Sequence, residues 1–299
     1  MRVALTGGTG FIGSYVVEQL RADGHDVVVL ARDPEKVSGF VNRPGIGFVR
    51  GSITDRSAVR EIVADADACI HIARAKSNSA SEAVREDTLP AIQLFEDAFA
   101  AGVDRLIYTS SIAVFDDRAE DQFTDDSAQR PINVYGATKS AAETYLVGMA
   151  VGRSTTVAVV RPGYTFGNPV ITGAPTQGMP DLPQIARAAK LGEPIEVVKN
   201  AGLQFIWAGD LARVYCAALT SQSNRRYYTS LSPEFYTWEQ VARWAIELTG
   251  SKSEVVIEDT GRSVRRPPWS VEGIARDFGL RFNAEAKLKD HLAWLAAQD

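Results

Sequence analysis

The chain has 299 residues and a mass of 32.4 kDa, enough to bury a sizeable core and to form about two domains or one large α/β unit. Hydrophobic residues make up 45% and charged residues 23%, which excludes a disordered or fibrous chain. Lys+Arg number 32 against 37 Asp+Glu, a net charge of −5 with no basic block, so no nucleic-acid partner is expected.

In chain order, a strand at Arg2–Thr6 leads through Gly7-Gly8-Thr9-Gly10-Phe11-Ile12-Gly13 into a helix marked by Tyr15, Val16, Gln19 and Leu20. Further β-branched runs stand at Asp26–Ala31, 47–50, 68–72, Arg105–Thr109 and 155–161, and Ile92, Phe95 and Phe99 keep helical spacing between two of them. Strand–helix alternation with near-continuous apolar strands predicts a doubly wound parallel sheet, α/β in class, with helices on both faces. From Pro162 to Pro183 prolines and glycines punctuate the chain, which reads as a loop-rich region outside the sheet. A strand and helix follow near 204–219, a strand at 226–230, and amphipathic helices at Trp238–Thr249 and 284–297. The expected division is a sheet domain of residues 1–163 with 204–230, beside a smaller mixed α/β domain of residues 164–203 with 231–299.

Cys69 and Cys216 sit in apolar runs and read as small buried side chains in a reducing compartment, not as a disulfide. His25, His71 and His291 lie far apart, and no spacing resembles a metal site. No apolar stretch approaches the ~18 residues of a membrane span. The run after Arg2 is too short for a signal-peptide core. A cytoplasmic protein is expected.

The glycine loop sits between a strand and a helix, the setting in which such a loop cradles a dinucleotide. A Cβ would block both the tight turn and the approach of a pyrophosphate, and the helix N-terminus offers free N–H groups and a positive dipole end. The second strand ends Val29-Leu30-Ala31-Arg32-Asp33. Ala31 leaves no carboxylate for a ribose 2′-hydroxyl, whereas Arg32 suits a 2′-phosphate, so NADP(H) is preferred over NAD(H). The alternative is that Asp33 reaches the ribose.

Asn133 is a plausible N-cap for a helix in which Tyr135 and Lys139, one turn apart, share a face. A phenol is a poor base at neutrality, and a nearby ammonium eases its proton exchange with a hydroxyl or carbonyl. The fifth strand ends in Thr109-Ser110-Ser111, at the carboxyl edge where doubly wound sheets bind ligands. Either serine hydroxyl could bond a reacting oxygen, or cap its own backbone.

Together these segments resemble the NAD-dependent epimerase/dehydratase family of extended short-chain dehydrogenase/reductases. The likeness covers essentially the whole chain and implies a Rossmann domain, a smaller substrate domain and often a homodimer. It makes Ser111 the serine that orients substrate, Tyr135 the acid/base and Lys139 the residue that tunes it and holds the ribose. It assigns to the cofactor Gly7, Thr9, Gly10, Phe11, Ile12 and Gly13 of the loop, and Ser52, Ile53, Ala73 and Pro162 at later strand ends. Lys76, Ile112, Phe115, Tyr164 and Trp207 are substrate candidates by position.

Departures from the family bear on the substrate. Tyr164 stands where members that take nucleotide sugars carry Asn, and Leu203 near where they carry Arg. Asp87 stands where Asn is common, and Pro90, three residues on, makes that helix start late or kink. Arg262, Arg265 and Arg266 could still grip a nucleotide. Ile112 and Ala113 offer no acid or base for dehydration. The expected function is hydride transfer at a carbonyl or hydroxyl carbon of a small substrate. The alternatives are a nucleotide-sugar epimerase and, from a different class, a non-enzymatic dinucleotide sensor.

Overall fold

The apolar runs pair as parallel strands in a computed structural model, which describes residues 1–116, 122–176, 180–223, 226–261 and 269–298. In chain order the first elements are β1 (Arg2–Thr6), α1 (Phe11–Ala22), β2 (Asp26–Ala31), β3 (Ile46–Arg50), α2 (Arg56–Val63) and β4 (Ala68–His71). Next come α3 (Ala80–Ala83), α4 (Leu89–Ala101), β5 (Arg105–Thr109), α5 (Val134–Met149), β6 (Thr156–Pro162), β7 (Tyr164–Phe166), α6 (Asp181–Leu191) and β8 (Ile195–Val198). The last are β9 (Gly202–Trp207), α7 (Ala208–Thr220), β10 (Tyr227–Ser230), β11 (Phe235–Thr237), α8 (Trp238–Thr249), β12 (Val255–Glu258), α9 (Glu272–Phe278) and α10 (Glu285–Ala297).

Seven strands form one sheet in the order β10-β6-β5-β4-β1-β2-β3, and every pairing in it is parallel. The order reverses beside β1, and in such sheets ligands bind at the strands' carboxyl ends near that point. Alternate side chains enter opposite cores. Val3 and Leu5 join the apolar layer that includes α1 and α7, while Ala4 joins the layer of α2, α4 and α5. A third apolar cluster gathers Phe166, Phe205, Leu182, Ala242 and Leu288 among the smaller elements.

Those smaller elements hold a three-stranded sheet, β11-β9-β7, and a two-stranded one, β12-β8. Residues 204–207, expected with the large sheet, instead pair with β7 and β11. Gly202 allows this, because a Cβ there would lie 2.0 Å from the Tyr236 carbonyl oxygen. Gln204 then ties β9 to the backbone of Ser232 and Trp269. The helix that follows, α7, packs on α1 under the large sheet.

Among the described residues no helix is long and apolar enough to cross a membrane, and no cluster of His, Cys, Asp and Glu could hold a metal ion. Cys69 and Cys216 are free and buried, and burial pushes the Cys69 thiol up to about 12.

Candidate active site

The glycine loop after β1 is built by close approach. Gly7 has φ +77°, and a Cβ on it would lie 2.6 Å from the Ala73 amide nitrogen. A Cβ on Gly13 would lie 2.0 Å from the Gly7 carbonyl oxygen. The Gly10 amide donates to that same oxygen at 2.9 Å, closing the turn. Gly10 caps α1 without a side-chain bond, and no acidic residue occupies the first turn. The helix therefore presents free amides and an uncompensated positive end. These features fit the pyrophosphate of a dinucleotide, with Thr9, Phe11 and Ile12 on the same loop. Ala73, after β4, borders the loop, and its amide donates to Thr6 Oγ1 at 3.3 Å.

At the tip of β2, Ala31 is buried and Arg32 is exposed. Arg50, at the end of neighbouring β3, is bonded to Glu35 at 2.8 Å. Ser52 and Ile53 follow β3 half-buried, with Ser52 Oγ accepting from the Thr54 amide and hydroxyl.

Beyond β5 the chain makes a short 3-10 turn, Ile112–Val114, capped by Ser111, whose Oγ accepts from the Ala113 amide at 3.2 Å. That lone pair is used, but the hydroxyl hydrogen remains free to donate. Helix α5 starts against this turn. Asn133 Oδ1 caps it by accepting from the Gly136 amide at 2.8 Å. Tyr135 is 36% exposed, whereas Lys139, one turn later, is 2% exposed. Farther along, Glu143 receives two bonds from the buried Arg161 guanidinium, at 3.0 and 2.7 Å, which lock α5 to β6 just before Pro162. Such a pair is costly to break from one side, because an unpaired charge is left buried.

The Lys139 ammonium lies 3.5 Å from Asp87 Oδ2 and 5.1 Å from the centre of the Tyr108 ring. Asp87 sits in a π-helical turn, Val84–Thr88, between α3 and α4. Pro90, which lacks an N–H, stands in the first turn of α4, so the widened turn falls just before the residue that cannot complete a regular one. Below the lysine, His71 Nδ1 is 2.6 Å from Thr6 Oγ1. Burial, with Lys139 adding to it, pushes the imidazole down to about 3, so His71 is neutral.

A cavity of about 560 Å³ opens here, lined by Arg74, Lys76, Asn78, Asp87, Tyr135 and Thr138 among others. The Arg74 guanidinium lies 4.8 Å above the Tyr135 ring, a cation–π contact.

A family model, the NAD dependent epimerase/dehydratase family, matches residues 3–229. The chain belongs to this family. Its members are enzymes of the extended short-chain dehydrogenase/reductase type. A glycan biosynthesis protein of Haloferax volcanii, Agl12, is 33% identical over 154 residues, which are 48% of this chain and 50% of that one. The first two curated relatives are thus spanned only in part, 50% and 61% of their lengths. A UDP-glucose 4-epimerase of Neisseria meningitidis serogroup B is 28% identical, covering 75% of this chain and 74% of its own. Among solved structures, the Bordetella bronchiseptica enzyme WbmG in complex with NAD superposes with a TM-score of 0.81 at 19% identity, over 98% of this chain and 93% of that one.

Tyr135, Asp87 and Lys76 meet at the cavity, with Lys139 behind them. Four other substrate candidates are not in its lining. Ile112 is buried in the core layer, Phe115 packs at a tilt against the rings of Phe123 and Trp269, and Tyr164 is half-buried on β7. Trp207 packs edge-on to Tyr15, with Lys287 4.9 Å above its ring. Arg262, Arg265 and Arg266 lie outside the described residues. Arg74 and Thr138 were not legible as site residues. The only signals for them were the place of Arg74 next to Ala73 and that of Thr138 beside Lys139.

Proposed function

We propose that the chain is an NAD(P)-dependent oxidoreductase acting at a carbonyl or hydroxyl carbon of a small substrate. The observation that carries this reading is Tyr135 opening onto the cavity while Lys139, one turn on, stays buried behind it. The nicotinamide, when bound, supplies or accepts the hydride. Tyr135 Oη exchanges the proton with the substrate oxygen. Lys139 contributes positive charge and a donor for the nicotinamide ribose. Ser111 donates its free hydroxyl hydrogen to the same oxygen and steadies its developing charge.

Gly7, Gly10 and Gly13 would hold the pyrophosphate, Ala73 and Pro162 would border the nicotinamide half, and Ser52 and Ile53 the adenine. Arg32 beside Ala31 supports NADP(H) over NAD(H). Tyr164 and Leu203, in place of a carboxamide and a guanidinium, support a substrate without a nucleotide. The smaller sheets with α6, α8 and α10 supply the substrate domain. Exposed Leu89 on α4, with Val134 and Tyr145 on α5, supports a homodimer, and two free thiols support a reducing, cytoplasmic setting. A second reading, a nucleotide-sugar epimerase, is favoured by the Neisseria relative.

Net cofactor turnover separates the two. Incubated with NADPH and a panel of aldehydes and ketones, the protein is expected to oxidise one NADPH per carbonyl reduced. Interconversion of a UDP-sugar with no net change in cofactor would overturn the first reading in favour of the second.

A further inference from the structure

The charge of the cavity beside Tyr135 bears on the class of its substrate, given the reading of Tyr135 above. Among the described residues in its lining, Asp87 is the one acid. Both its oxygens are committed: Oδ1 accepts from the Ala75 amide at 3.2 Å, and Oδ2 faces the Lys139 ammonium at 3.5 Å. Arg74 and Lys76 line the same cavity, and neither is paired with a carboxylate among the described residues. The acids of the segment that follows are engaged elsewhere. Glu82 of α3 accepts from the Asn78 amide at 2.7 Å, and Glu86 is paired with Arg85 at 2.9 Å. A chain of net charge −5 thus gathers two uncompensated cations where the phenol opens.

Arg74 is the better placed of the two, with its guanidinium 4.8 Å from the centre of the Tyr135 ring. A ring face attracts the cation by its charge and leaves the N–H donors in the guanidinium's own plane, free for a forked acceptor. A carboxylate matches that fork with two parallel hydrogen bonds. Held there, it would stand only a few carbons from an oxygen bonded to Tyr135 Oη. We propose that Arg74 is a specificity-determining residue that binds the carboxylate of a short-chain oxo acid and so brings its carbonyl to Tyr135, with Lys76 adding to the attraction. A neutral carbonyl compound of the same size gains nothing from the guanidinium. Arg74 is exposed, so water weakens the attraction and holds the preference near the lower end of what a charge-assisted bond gives. For each carbonyl reduced, the hydride and its electron pair come from a dihydronicotinamide and the proton from Tyr135 Oη. The product is the hydroxy acid, its carboxylate unchanged, and solvent restores the phenol's proton.

Calorimetric titration of the full-length protein, saturated with oxidised cofactor, tests this without turnover, because no hydride is available. The probes are pyruvate, acetoacetate and levulinate, whose carboxylates stand progressively farther from the carbonyl, each beside its methyl ester. At least one acid should bind about tenfold more tightly than its ester at low salt, and added salt should shrink the difference. In Arg74→Ala the acid-over-ester ratio should fall to near one. Arg74→Lys keeps the charge without the fork and should fall between. Acids that bind no better than their esters to the wild type would overturn the proposal. So would an acid preference that survives Arg74→Ala, including the case in which that variant loses affinity for the cofactor alone. Reduction of the preferred acid by NADPH that survives Tyr135→Phe would instead remove the functional reading and leave the binding result intact.

Discussion

Gly136 abuts the carbonyl of Ala113: a Cβ on it would lie 2.0 Å from that oxygen. The contact seats the first turn of α5 on the 3-10 turn that Ser111 caps, and so brings the Tyr135 segment beside the Ser111 segment. Backbone oxygen cannot yield as a flexible side chain does. Gly136→Ala is expected to push the helix away, cost about 1–3 kcal/mol of stability by overpacking, and lower turnover at least tenfold. Dinucleotide affinity, set by the distant glycine loop, should change little. Thermal melts, kcat and NADPH titration of the one variant check all three.

Arg32 sets a second expectation. Arg32 is exposed at the β2 tip, where the proposed NADP(H) would place its 2′-phosphate. A charge-assisted bond of this kind contributes about 1.5–3 kcal/mol. Arg32→Ala should therefore weaken NADPH binding roughly ten- to hundredfold and leave NADH binding nearly unchanged. Fluorescence titration with both cofactors decides it, and tighter NADH binding by the wild type would contradict the proposed NADP(H) preference.

His71 predicts an acid-sensitive fold. Its imidazole titrates near ~6.5 when unfolded but is pushed down to about 3 in the native state, first by burial and then by Lys139. Between those values the unfolded chain binds the extra proton, so stability rises with pH across the window and is lost as pH falls. The slope from this one group reaches ~1.4 kcal/mol per pH unit. His291, pushed down to about 4 by burial, acts in the same direction. Melting temperature should fall from pH 6.5 to pH 4, and His71→Asn should flatten the fall whatever its absolute stability.

Strong local signals made much of this molecule legible. Near-continuous apolar strands announced the parallel sheet, and glycines between β1 and α1 announced a close backbone approach that the structure shows at Gly7 and Gly13. Asn133 marked the start of α5, which it caps. The second half resisted because β7, β8, β11 and β12 have only three or four residues each, too few for a period to register. Pro90 announced a helix that starts late or kinks, and it stands in the first turn of α4. It could not show that the turn before it widens and aims Asp87 at Lys139, since that contact joins segments far apart in sequence. For the same reason nothing local pointed to Arg74 above the Tyr135 ring.

The central claim is that the Tyr135 phenol moves the substrate's proton. It is tested most directly by NADPH oxidation with a saturating carbonyl substrate, comparing the wild type with Tyr135→Phe. The expected result is a loss of at least about a hundredfold in kcat, with NADPH affinity unchanged. A Tyr135→Phe protein that turns over within tenfold of the wild type would contradict it.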